Sequence, residues 1–332
     1  MAEILVFVER ADGVVRKASL ELLTLARRLG EPAALLCGAT DDATTGVLGT
    51  YGATKIYVVE GAPIDDYLVL AKVDALVATV RQASPAAVLV TSGPEGKEVA
   101  ARAAVRLDSG IVTDAVDVTP ADGGPLVTQS VFSGRWSAQS QVVRGTPIIA
   151  VRPNAVVAQA APEQPAIVPV TVEFSDAALG ARVTHRTAKT SSGRPDLADA
   201  HVVVAGGRGM GSAEAFLLLE RLADTLGGAV AASRAATDLE WYGRDYQIGQ
   251  TGKTVAPTLY LANGISGAIQ HRAGMQGSRT IVAVNKDPKA PIFSICDFGL
   301  VGDVHTVLPA LVEEIEKRKS WTGASTGSGE VS

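Results

Sequence analysis

Four segments in the second half of the chain combine glycines, hydroxyls and cations at spacings that suit a ligand carrying phosphates. The first is VVVAGGRGMGSAEAF, residues 202–216. An apolar run meets Gly206, Gly207 and Gly209 and then a helix-like pattern. Such a turn lets an anion approach backbone N–H groups, and a helix start adds partial positive charge. Arg208 can add a bidentate guanidinium. The segment departs from the dinucleotide fingerprint: counted from Gly207 it reads G-x-G-x-x-S, because Ser212 takes the third glycine position. Close packing of a helix on a strand accounts for the same glycines. The acidic residue that holds an NAD ribose ~20 positions on is missing. The next strand ends instead at Ser233-Arg234. A cation there suits a phosphate or an anionic ring, or else an ordinary surface ion pair.

The second segment, QIGQTGKT at 247–254, is short of a P-loop, since Gln247 stands where the first glycine belongs. Backbone N–H groups, the Thr251 hydroxyl and the Gln250 amide remain as donors; an ordinary turn is the other reading. In the third, NGISGAIQHRAG at 263–274, small residues lead into a helix with Ser266 as the expected N-cap and His271 within its first turns. His271 is either a ligand contact or a satisfied structural histidine. In the fourth, Asn285 ends a strand and Asp303 stands before the last helix, which it can cap. Asp297-Phe298-Gly299 lacks the companion motifs of a kinase. The sequence offers no catalytic triad, carboxylate pair or metal cluster. One elongated ligand with phosphates and a polar ring explains the four junctions together, and the missing acid–base machinery favours a carrier over a catalyst.

These junctions need a frame of strands and helices. Apolar runs predict strands at 3–8, 33–37, 55–59, 87–91 and 148–151, and helical spacing predicts helices at 17–29, 65–82 and 95–106. Gly30 is the expected stop of the first helix. Residues 170–174 read as one more strand. The second half predicts strands at 202–205, 229–232, 258–262 and 280–284, with helices at 212–226, 266–274 and 304–318. Alternating strands and helices imply mostly parallel sheets covered on both faces. The expected fold class is therefore α/β, with two doubly wound Rossmann-like domains. The polar, Gly- and Pro-punctuated stretch 187–200 reads as a linker, so residues 1–189 form one domain and 190–319 the second. Residues 320–332 read as a disordered tail.

With 332 residues, 47% hydrophobic and 20% charged, the chain can bury two cores. A net charge of −5 excludes recruitment of nucleic acid by a global basic field. Cys37 and Cys296 belong to no CxxC pair and read as buried reduced thiols. No signal-like segment and no run of ~18 apolar residues is present, which predicts a cytoplasmic protein without membrane insertion.

Across 194–318 the segments RPDLADA, VVVAGGRG, ASRAATD, QIGQTGK, ISGAIQH, AGMQGS, VAVNKDPKAPIF and D-x-G-L-V-G-D resemble the electron-transfer flavoprotein α subunits, the FixB family. The first half resembles that family more loosely. The resemblance implies a heterodimer with a β subunit that carries AMP, and one FAD held by residues 190–319. It implies that Arg208 and Ser233 contact the cofactor and that Arg234 lies over the isoalloxazine ring. Ile248, Gly249, Gln250 and Thr251 contact it too, with Thr251 near N5. Ser266, Gly267, Ala268, Ile269, Gln270 and His271 line the site, with His271 toward O2, and Asn285 and Asp303 approach the adenosine. Arg234 and His271 would then stabilise the negative charge that reduction places on the ring. The implied role is electron transfer from acyl-CoA and related dehydrogenases to a membrane-linked quinone oxidoreductase. A flavin- or NAD-dependent oxidoreductase with its own substrate is the alternative. Gly211, Ala215, Tyr246 and His305 depart from the family's usual residues. The first domain shows no Gly-rich phosphate loop, Ser92-Gly93-Pro94 being the nearest, and is expected to grip the β subunit.

Overall fold

The computed structural model describes residues 2–132, 136–187 and 193–324. Its internal contacts divide the chain into two units, Met1–Lys189 and Thr190–Ser332. In chain order the first unit holds β1 (Glu3–Phe7), β2 (Arg10–Ala11), β3 (Val14–Val15), α1 (Lys17–Leu29), β4 (Glu31–Cys37), α2 (Asp42–Thr50) and β5 (Lys55–Val59). It continues with α3 (Ala62–Asp66), α4 (Val69–Ala83), β6 (Ala87–Thr91), α5 (Pro94–Arg106) and β7 (Ile111–Thr119). The strands β8 (Leu126–Val131), β9 (Trp136–Gln141), β10 (Ile148–Val151) and β11 (Ala166–Pro169) complete it.

Nine of these strands form one sheet in the order β11-β5-β4-β1-β6-β10-β7-β8-β9, parallel from β11 to β7 and antiparallel beyond. Period-2 alternation builds its two cores. Leu5 and Phe7 of β1 pack with α4 and α5 on one face, while Ile4 and Val6 pack with Leu22, Leu23 and Leu25 of α1 on the other. Each such fully buried aliphatic side chain contributes about 1.5–3 kcal/mol. Gly30 ends α1 as expected, its N–H bonded to the Ala26 carbonyl.

Several elements differ from expectation. The single helix predicted at 65–82 is two, because Tyr67 and Leu68 turn extended to pair with residues 181 and 182. The strand predicted at 170–174 lies earlier, as β11, where it adds to the free edge of β5. The antiparallel strands β7 to β9 have no counterpart in the expectation: Thr, Asp, Ser and Gln break up their apolar residues, and Ala115, Val118 and Val127 alone among their side chains are fully buried. Cys37 and Cys296 are free thiols, half-buried rather than buried.

The second unit holds β12 (Val202–Gly206), α6 (Phe216–Leu226), β13 (Ala229–Ser233), α7 (Arg234–Asp238), β14 (Gln247–Ile248) and β15 (Leu259–Asn263). Then follow α8 (Ile269–Arg272), β16 (Thr280–Asn285), β17 (Phe298–Val301) and α9 (Val304–Ala324). All six strands are parallel, in the order β14-β13-β12-β15-β16-β17. In sequence terms that is 3-2-1-4-5-6, the doubly wound order, with its switch point between β12 and β15.

Phe216, Leu219 and Leu222 of α6 and Val304, Leu308 and Val312 of α9 cover one face around Val204. Loops carrying Val255, Ile265, Met275 and Ile292 cover the other around Val203 and Ala205. The helix predicted at 212–226 starts only at Phe216, after a 3-10 turn at Arg208–Met210. The stretch 187–200 lies outside the described residues over 188–192. Its remainder is no free linker: Leu197 and Ala200 are buried, and Arg194 grips Asp224 at 2.6 and 2.9 Å. The tail predicted from Ser320 is helical to Ala324, as the end of α9, and 325–332 lie outside the described residues.

Candidate cofactor site

Every predicted contact residue sits at or just beyond the carboxyl end of a strand in the second unit's sheet. Arg208 follows β12, Ser233 and Arg234 close β13, and Ile248–Thr251 close β14. Residues 266–271 follow β15, Asn285 ends β16, and Asp303 follows β17. In open α/β sheets this edge is where ligands bind, deepest at the switch point.

At that switch point the loops after β12 and β15 cross backbone on backbone. Gly207 N–H donates to the Asn263 carbonyl at 2.9 Å and Gly209 N–H to the Gly264 carbonyl at 2.9 Å. A Cβ on Gly264 would lie 2.7 Å from the Gly209 carbonyl carbon, and Gly264 has φ +62°. Glycine is required on both counts. Gly206, one residue earlier, is the glycine that lets α6 pack: a Cβ there would lie 2.4 Å from Leu219. Buried Asn263 ties the base of the crossing to the Ala205 and Leu261 carbonyls, both at 3.2 Å.

The helix predicted at 266–274 is a single turn, and Ser266 does not cap it. Gly267 takes φ +84°, outside any helix, and α8 begins after Ala268. The Ser266 carbonyl instead accepts from Ile292 N–H at 2.9 Å. The 247–251 loop packs on this turn, with Gln250 N–H donating to the Gln270 carbonyl at 2.8 Å. Ser266, Ala268, Ile269, Gln270, Gln250 and Thr251 are exposed, while Ile248, Gly249 and Gly267 are buried beneath them. Gln247 Nε2 donates to Thr251 Oγ1 at 3.0 Å, and Thr237 Oγ1 donates to Gln247 Oε1 at 2.9 Å.

His271 is 7% exposed. Its Nε2 lies 2.9 Å from the hydroxyl of fully buried Tyr260, while Nδ1 is buried without a hydrogen bond. Burial pushes the imidazole down to about 4, an effect the Ile248 carbonyl only partly offsets. At neutral pH the ring is therefore uncharged, so any hold on an anionic ligand comes from an N–H dipole and not from a full positive charge.

The cations stand in water. Arg208 is exposed and makes no ion pair among the described residues. Arg234 is exposed and pairs with Asp238 at 3.3 Å, so an ion pair does form, in a form loose enough to yield to a ligand. Ser233 caps α7 by accepting from Ala236 N–H, which leaves its O–H free to donate. Asn285 Nδ2 donates to the Ile265 carbonyl at 2.9 Å. Asp303 caps the last helix through His305 N–H at 2.9 Å and pairs with Lys286 at 2.9 Å. The His305 N–H bond, then the Lys286 hydrogen bond, hold its carboxyl below the ordinary range.

Gln247, Tyr260 and Asn263 support the site without having been singled out as contacts. Gln247 was visible as the polar first residue of QIGQT, and Tyr260 as a phenol inside an apolar strand run. In the first unit Ser92 is spent on Asp114, and the Glu9 carboxylate stands against the first turn of α5, where a Cβ on Gly96 would meet it at 3.1 Å. An anion there meets like charge. Among the described residues no cluster of three or more His, Cys, Asp or Glu is placed to hold a metal, and no helix is long and apolar enough to cross a membrane.

The family model described as "Electron transfer flavoprotein FAD-binding domain" matches residues 196–276, and "Electron transfer flavoprotein domain" matches residues 4–177. The chain is similar to "Electron transfer flavoprotein subunit alpha" of Mycobacterium leprae, 51% identical over 322 residues that cover 96% of this chain and 100% of that protein. It is similar to the protein of the same description from Bacillus subtilis, 37% identical over 322 residues covering 95% and 98%. "Protein FixB" of Clostridium saccharobutylicum is 37% identical over 326 residues covering 94% and 96%. The residues present fit an FAD: a buried imidazole nitrogen lacks a partner, and two exposed guanidinium groups stand at the same sheet edge. The chain belongs to the electron transfer flavoprotein α-subunit family, a family of electron carriers with an FAD-binding domain.

Proposed function

We propose that this chain pairs with a β subunit, holds one FAD along the carboxyl edge of its second unit, and relays electrons from acyl-CoA and related dehydrogenases to a membrane-linked quinone oxidoreductase. AMP belongs to the β subunit in this reading, and the complex works in the cytoplasm. The flavin, when bound, supplies the one- and two-electron redox chemistry. The observation that carries the reading is the unpartnered, buried Nδ1 of His271 in a sheet edge that also carries the exposed guanidinium groups of Arg208 and Arg234.

The chain's own residues divide the work. Arg208 brings a positive charge to the switch point, where it can hold a phosphate. Ser233 and Thr251 supply hydroxyl donors, and Arg234 brings a positive charge that can close over an anionic ring. Ile248, Gly249 and the stretch Ser266–His271 form the wall. Asn285 and Asp303 stand at the far side of the switch point, toward the adenosine. The rival, an oxidoreductase with its own substrate, needs an acid or base beside the flavin. His271, pushed down to about 4 by burial, is a weak base at neutral pH.

The test is to mix the purified complex of this chain and its β subunit with an acyl-CoA dehydrogenase and its substrate. The proposal predicts bleaching of the flavin of the complex only when the dehydrogenase is present. Turnover of a small substrate by the complex alone would favour the rival.

A further inference from the structure

Tyr260 lies in the middle of an apolar strand, is fully buried, and spends its hydroxyl on one group, Nε2 of His271 at 2.9 Å. A buried phenol at that depth costs free energy unless its hydrogen is used. Two arrangements are possible, and counting donors and acceptors separates them. If Nε2 carried the imidazole hydrogen, the phenol would accept it. The phenol hydrogen would then have no acceptor, and Nδ1 would be a buried bare acceptor without a donor, so two atoms would be badly matched. If the phenol donates to Nε2, its only hydrogen is used. Nδ1 then carries the imidazole hydrogen and is the ring nitrogen left without a protein partner, able to donate to a ligand.

We infer that Tyr260 is a positioning residue: its hydroxyl donates to Nε2 and holds His271 as the neutral Nδ1–H tautomer, so that a donor, not a lone pair, faces the cofactor. The inference rests on the reading of this edge as a flavin site. Burial supports it from both partners. It pushes the Tyr260 hydroxyl well above the ordinary phenol range, so the proton stays on oxygen, and it keeps the imidazole uncharged near neutrality. A neutral histidine has two tautomers, and the hydrogen bond on one nitrogen decides which hydrogen the other presents. Without the phenol oxygen nothing in the strand fixes that choice. A lone pair turned toward negative charge would oppose reduction of the ligand as much as an N–H favours it.

The experiment is carbon and nitrogen NMR of the complex with isotope-labelled histidine, with the His271 signal assigned by its loss in His271→Gln. The wild-type protein should show the Nδ1–H tautomer, without titration between pH 6 and pH 8. Tyr260→Phe removes one oxygen and keeps the ring. It should lose the tautomer preference and weaken stabilisation of the one-electron-reduced flavin about tenfold, a fall of about 59 mV in that couple. An Nε2–H tautomer in the wild-type protein overturns the inference without recourse to the variant. So does a Tyr260→Phe protein with the wild-type tautomer and potential. Flavin content, from the visible spectrum of the same sample, tests the cofactor reading separately: a colourless wild-type complex contradicts that reading, while the tautomer still decides what Tyr260 does.

Discussion

Gln247 holds the Thr251 hydroxyl from one side, its Nε2 donating to Oγ1 at 3.0 Å, and is itself held by Thr237 at 2.9 Å. A hydroxyl that accepts on one side is left with its hydrogen to give on the other. Gln247→Leu should release Thr251, while the Thr237 hydroxyl keeps the Arg234 carbonyl as its acceptor at 3.0 Å. A neutral hydrogen bond contributes about 1 kcal/mol, which is about 43 mV for a one-electron couple. The flavin potential should fall by roughly that amount in spectroelectrochemistry, with Thr251→Ala falling at least as far and the double variant falling no further.

Arg234 is the exposed cation expected over the ring. Arg234→Ala should lower the potential of the bound flavin and slow its reduction. The thermal midpoint should hardly move, because an exposed i,i+4 pair such as Arg234–Asp238 contributes little to stability. A large loss of midpoint would instead assign Arg234 a structural role.

The loop crossing at the switch point has no room. Gly264→Ala adds a Cβ 2.7 Å from the Gly209 backbone at a residue with φ +62°. Overpacking costs about 1–3 kcal/mol, and the left-handed conformation about 1–2 more. Flavin content and the unfolding midpoint should fall together. Gly227→Ala, at φ +65° with open space around it, should lower the midpoint less and leave flavin content alone.

The first unit carries a pH-sensitive contact. Desolvation pushes the buried Asp74 carboxyl up, but bonds from Arg106 and from the Ser175 N–H and hydroxyl outweigh it and hold it below the ordinary range. A depressed carboxylate contributes stability above the unfolded value of about 3.9 and loses it as pH falls through its lower folded value. Acid titration of stability should therefore steepen below about pH 4. Asp74→Asn should cost about 2 kcal/mol at neutral pH, less than a fully buried pair because Arg106 reaches solvent, and should flatten that acid limb.

The fold and the site were unequally legible. Apolar runs such as Ile4–Val8 and Val202–Ala205 are buried on both sides, so their hydrophobicity alone marks parallel strands. The hairpins of β7 to β9 hide because Thr, Asp, Ser and Gln interrupt their apolar residues, leaving no continuous hydrophobic run. Helical spacing at 266–274 misled because Gly267 bends the backbone to meet Ile292, a contact between residues remote in sequence. The candidate contact residues come from motifs such as QIGQT and SGAIQH. What those motifs cannot tell is which atoms are already spent: Asn285 on Ile265, Asp303 on its helix and Lys286, and one nitrogen of His271 on Tyr260.

The central claim is that the strand ends of the second unit hold FAD. The most direct measurement is to co-express the chain with its β subunit, release the bound cofactor from the purified complex, and identify and quantify it by absorbance and mass. The account predicts a yellow complex that yields FAD, one per heterodimer, and loses it in Gly264→Ala. A colourless complex, or one whose flavin survives Gly264→Ala undiminished, would contradict it.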